Sequence, residues 1–85
     1  MMGRISGRDA VGIMIQEIGE AIGAQRLREF ERKVRYRIRL GHPNGATGQD
    51  WINAMSDVIV ADDDAKADAG FQKGIARIRQ EAARR

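Results

Sequence analysis

Ala24-Gln25-Arg26-Leu27-Arg28-Glu29-Phe30-Glu31-Arg32-Lys33-Val34-Arg35-Tyr36-Arg37-Ile38-Arg39-Leu40-Gly41 is the stretch on which the fold turns. Leu27, Phe30, Val34 and Ile38 recur at steps of three and four, the spacing of one face of an α-helix. The same segment also carries a second period. Val34, Tyr36, Ile38 and Leu40 alternate with Arg35, Arg37 and Arg39, as the two faces of a β-strand do. Gly41 after Leu40, with Pro43 two residues on, is a helix stop signal, and arginines near that end suit the helix dipole. The helical reading over residues 25–40 is the primary one, and a strand at 34–40 is its alternative.

Working outward, Ser6-Gly7-Arg8-Asp9 has the form of a helix-capping box. Val11, Met14, Ile15, Ile18 and Ile22 follow within a stripe about 100° wide, an amphipathic helix over 7–23. The next stripe faces another way, which requires a break, placed at Gly23. Beyond a turn-rich loop at 41–47, Thr47-Gly48-Gln49-Asp50 repeats the capping pattern. Trp51, Ile52, Met55, Val58 and Ile59 then predict a helix over 48–60, with Trp51 as a core anchor. The run Asp62-Asp63-Asp64 interrupts it and suits the start of a fourth helix over 64–83, whose stripe is Phe71, Ile75, Ile78 and Ala82.

The halves correspond at an offset of 41: Ser6 with Thr47, Asp9 with Asp50, Met14 with Met55, Ile18 with Ile59 and Phe30 with Phe71. Either duplication or shared helical-hairpin patterning gives this. The expected fold is therefore all-α, one domain over 1–85 with four helices as two αα-hairpins. The alternative is an α+β chain whose single strand at 34–40 pairs across a dimer.

A chain of 85 residues without cysteine has neither disulfides nor a thiolate metal site, and so small a core needs good helix packing or oligomerisation. A homo-oligomer is the expectation. No apolar run approaches the ~18–20 residues of a membrane span, and Met1 to Gly7 is not followed by the apolar stretch of a secretion signal. No membrane association and a cytoplasmic location are expected.

Catalytic groups are scarce. His42 is the one histidine, and Ser6, Ser56 and Thr47 are the only serine or threonine side chains. Ser6 and Thr47 already serve as helix caps, so no nucleophile–base pair is expected. The aspartate cluster fails the EF-hand pattern, since the third, sixth and twelfth positions counted from Asp64 are Lys66, Ala69 and Ile75. The glycines of the 41–48 loop lack the lysine of a nucleotide-binding loop. Gly19/Gly23 and Gly70/Gly74 have the small-xxx-small spacing that lets helix backbones approach, or are incidental. The expectation is a protein that is not an enzyme, with no cofactor and no metal.

Charge is banded. Residues 26–39 carry seven basic and two acidic side chains, residues 50–68 six aspartates and one lysine, and residues 73–85 five basic groups and one acid. Guanidinium groups bind phosphate in bidentate fashion, and clusters of them release counterions from nucleic acid. Arg28, Arg32, Lys33, Arg35, Arg37, Arg39 and Arg77 are the candidate nucleic-acid contacts. Tyr36 and Leu40 lie off the core stripe and are candidate protein-interface residues.

On the strand alternative, the chain from Val34 onward resembles a ribbon–helix–helix regulator. The resemblance implies strands paired across a dimer and Arg35, Arg37 and Arg39 reading the major groove. The leading expectation is a small regulator binding DNA, RNA or a nucleoprotein through its arginine-rich helices. The alternative is a protein adapter or inhibitor, or a structural subunit of a phage-like viral assembly, with the charge bands joining subunits.

Overall fold

The computed structural model describes residues 5–84. Four helices account for the regular structure: α1 Gly7–Ile22, α2 Ala24–Gly41, α3 Gly48–Asp62 and α4 Ala65–Arg84. Among the described residues there is no strand. The strand alternative at 34–40, and the ribbon–helix–helix resemblance with it, is thereby corrected. Phe30, Val34 and Ile38 are buried together on one side of α2, whereas Tyr36 and Leu40, which a strand would set on the same face as Val34 and Ile38, are exposed; only the helical period separates the two pairs.

Each helix boundary has a local cause. Ser6 Oγ accepts the Asp9 backbone N–H at 3.1 Å. Thr47 and Asp50 complete a reciprocal capping box at the start of α3. Gly23, at φ 88°, separates α1 from α2, a conformation that side chains other than glycine rarely adopt. The two apolar stripes can therefore turn separately toward one core. Asp63, in the left-handed region at φ 51°, ends α3, and Asp64 Oδ1 accepts the Ala67 N–H at 3.1 Å to begin α4. Between α2 and α3, Gly45 N–H donates to the His42 carbonyl at 3.1 Å across Pro43 and Asn44.

The core gathers Met14 and Ile18 of α1, Phe30, Val34 and Ile38 of α2, and Ile52, Met55, Val58 and Ile59 of α3. From α4 the fully buried positions are Ala67, Gly70 and Gly74. Phe71, Ile75 and Ile78, expected to form the inward stripe of α4, are only partly buried and flank this line of small residues. Trp51 is also partly buried against the core, and its neighbour Ile52 is a buried core residue.

The most extensive helix contact is α1 with α4, and α2 with α3 comes next. A Cβ on Gly70 would stand 2.8 Å from both the Glu17 carbonyl oxygen and Ile18 Cα, and one on Gly74 would stand 2.6 Å from Met14 Sδ. At these points α4 lies directly on α1. Of the Gly19/Gly23 pair, only Gly19 is closely approached, a Cβ there standing 2.9 Å from Leu27 Cδ2 of α2, whereas Gly23 faces nothing within 4 Å.

The molecule is a slab 37 × 31 × 19 Å. Its short dimension fits two helix layers of about 10 Å each, so every helix keeps an outward face. No charged or polar side chain is buried among the described residues. No helix among them is long and apolar enough to cross a membrane.

Candidate nucleic-acid interface

The outward face of α2 carries the densest charge. Arg28, Arg32, Arg35 and Arg39 are spaced four, three and four apart, which places them within about 60° around the helix. They run about 16 Å along its axis, at 1.5 Å per residue. All four are exposed, as are Lys33 and Arg37 on the flank toward α3.

Their carboxylate partners differ. Lys33 Nζ is 2.7 Å from Asp62 Oδ2 on α3, and Arg26 Nη2 is 2.6 Å from Asp64 Oδ2. Arg35 pairs with Glu31 at 3.3 Å, and Arg32 lies 4.0 Å from Glu29. Arg28, Arg37 and Arg39 have no carboxylate within ion-pair distance among the described residues. The aspartate cluster therefore neutralises one edge of α2 and leaves the outer face cationic. These surface pairs contribute little to stability, about 0–1 kcal/mol each, so they yield readily to a phosphate.

Arg77 is not part of this face. It stands on α4, 3.1 Å from Glu17 Oε2 and 2.8 Å from Gln16 Oε1 of α1. Six of the seven expected cations thus share one helix, and the seventh belongs to the α1–α4 contact.

No protein-family model matches the chain, and no curated protein or solved structure matches it.

Beside the arginines, a groove of about 700 Å³ opens between α2 and α3. Tyr36, Leu40 and Val58 are its apolar lining; Arg32, Lys33 and Arg37 are its cations, and Glu29 and Asp62 its acids. Tyr36 is 60% exposed and Leu40 67%, large values for apolar side chains beside a core. Both residues, expected to sit off the core stripe, do so.

Internal correspondence explains the groove. The helix starts repeat, Gly7 with Gly48 and Ala24 with Ala65, at one offset of 41. At that offset Gly70 and Gly74 correspond to Glu29 and Lys33, and Glu17 and Ala21 to Val58 and Asp62. The α1–α4 contact is closed by glycine. In the equivalent α2–α3 contact two long charged side chains occupy the glycine positions, and the groove lies along them. At the same offset Arg77, paired to Glu17, corresponds to Tyr36, and both Tyr36 and Val58 line the groove. The groove was missed in the sequence, although the glycine-to-charge exchange at that offset was the available signal.

Two carboxylates are held below the ordinary value of 3.8. Asp50 is lowered chiefly by the Thr47 backbone N–H. Asp64 is lowered chiefly by the Ala67 N–H, with Arg26 adding to it. Both act as helix caps. His42 is half-exposed in its loop, its Nδ1 3.5 Å from Asp50 Oδ2. Among the described residues no group of three or more histidine or acidic side chains is arranged to hold a metal ion.

Proposed function

We propose that the chain is a non-enzymatic regulator that binds nucleic acid or a nucleoprotein through the outward face of α2. The observation that carries this reading is that Arg28 and Arg39 on that face, and Arg37 on the flank toward α3, have no carboxylate partner among the described residues. Beside them Arg32 and Arg35 are held only by exposed pairs to acids of their own helix. At 3.4 Å per nucleotide of one strand, the 16 Å arginine stripe spans about four to five phosphates. A flat two-layer fold that buries no charge leaves the whole stripe open to a polyanion.

The test is fluorescence anisotropy with random-sequence DNA and RNA at low and at moderate salt. Binding should weaken steeply as salt rises, because each neutralised phosphate releases counterions. Arg28→Ala with Arg39→Ala should weaken binding to all sequences alike. No detectable binding at low salt overturns the reading.

A second reading, a protein adapter or a subunit of a larger assembly, has the exposure of Tyr36 and Leu40 in its favour. A pull-down with and without nuclease separates the two: capture that survives nuclease treatment favours the adapter.

A further inference from the structure

We propose that the ligand of the α2–α3 groove is single-stranded nucleic acid, with an unpaired base stacked on Tyr36 and the neighbouring phosphates held by arginines of α2. The inference rests on the polyanion reading above and names the class of polyanion.

Three observations lead to it. The first is the placement of an aromatic ring among cations. Tyr36 is exposed and shares the groove with Arg32, Lys33 and Arg37. A basic surface with an exposed ring is how strands with free base faces are bound, since every base offers a π-face to stack. In a duplex those faces are already occupied by neighbouring pairs, and a ring beside the backbone has nothing to stack on.

The second is the length of the apolar strip. Tyr36 and Leu40 are four residues apart, about 6 Å along the helix, and Val58 of α3 is the one other apolar residue of the lining. A partner helix docks through anchors at i, i+4 and i+7, which span about 10 Å. Past one turn the groove lining is charged, with Lys33, Glu29 and Asp62. The apolar strip matches the width of a base more closely than the length of a helix.

The third is the sign of the rim. Lys33 is matched by Asp62 and Arg32 by Glu29, and Arg37 is unmatched. Arg28 and Arg39 extend the positive surface along α2. A second copy of the chain laid face to face here would bring its own α2, with a net charge of +5 over residues 26–39, against the same charge. A strand of phosphates relieves that repulsion.

The experiment compares three labelled oligonucleotides on the intact chain at low salt: a short single strand, the duplex of the same sequence, and an abasic single strand of the same length. The single strand should bind about tenfold or more tightly than the abasic strand, the range expected of one stacked base. Tyr36→Ala should remove that advantage and leave abasic binding unchanged, whereas Tyr36→Phe should retain it. Circular dichroism should show the variants folded, since Tyr36 is exposed. Equal affinity for all three ligands, with Arg28 and Arg39 still required, overturns the stacking inference and leaves the polyanion reading intact. No binding of any of the three overturns both. Displacement of the groove's occupant by an acidic amphipathic peptide that binds more tightly than the single strand, with the same dependence on Tyr36, assigns the groove to a protein and also overturns it.

Discussion

Gly7 and Gly48, the first residues of α1 and α3, meet backbone to backbone. A Cβ on Gly7 would stand 3.1 Å from Gly48 Cα, and one on Gly48 would stand 2.6 Å from the Gly7 carbonyl oxygen. The two glycines occupy equivalent places in the two halves, each directly after its capping residue, Ser6 or Thr47. The contact joins the two capped helix starts at the point where the halves face each other.

Gly48→Ala should therefore destabilise the fold, by about 1–3 kcal/mol as overpacking does. The atoms it meets are backbone and cannot rotate away. Gly12→Ala is the control, because a Cβ there meets nothing within 4 Å. It should stabilise α1 by about 0.5–1 kcal/mol, the ordinary gain of alanine over glycine inside a helix. Urea denaturation of both variants checks the opposite signs.

Gly70→Ala tests the α1–α4 contact. Helix propensity alone would add about 1 kcal/mol, but the new methyl would fall 2.8 Å from Ile18 Cα and 3.0 Å from Ala21 Cβ. A net loss of stability is expected, and a raised thermal midpoint would mean that α4 does not lie this close to α1.

Asp62→Asn should strengthen nucleic-acid binding. It removes the carboxylate 2.7 Å from Lys33 Nζ and leaves that ammonium for a phosphate. An exposed pair of this kind contributes about 0–1 kcal/mol to folding, so the thermal midpoint should move little. A several-fold gain in affinity at low salt, fading at high salt, is the expected result of titration. Unchanged affinity would place the bound phosphates away from the groove.

Salt dependence reports how many phosphates the arginines engage. If four phosphates are neutralised, the slope of log K against log salt should be about −3 for a single strand. A slope near zero would show that the arginine stripe does not engage the backbone.

Acid should lower the stability of the fold through its caps. Asp50 and Asp64 are held below the ordinary carboxylate value of 3.8 by backbone N–H groups, those of Thr47 and Ala67. A lowered folded-state value means that the charged form is favoured by folding. Their contribution is fully present above that ordinary value and is lost as pH falls through the lowered folded-state values. Stability measured by urea titration should hold from neutrality to about pH 5 and fall below pH 4, and Asp50→Asn and Asp64→Asn should each flatten the fall.

Much of the fold was written locally. Ser6, Gly23, Thr47 and Asp64 each satisfy or release backbone groups within a few residues, so the four helices, their caps and their breaks were legible without neighbours. The cationic character of α2 was legible for the same reason, as was the off-stripe placement of Tyr36 and Leu40. The competition between periods at 34–40 was not local. Burial of Val34 and Ile38 under other helices, with Tyr36 and Leu40 left exposed, decided it, because apolar area counts only when another element covers it. Which arginines stay open, and that Arg77 turns to α1, depended on where Glu17, Asp62 and Asp64 came to rest across helices. The groove arose last of all. It exists because glycines let α4 lie directly on α1 while Glu29 and Lys33 line the equivalent contact of α2 with α3, a difference in packing that no single segment of the chain contains.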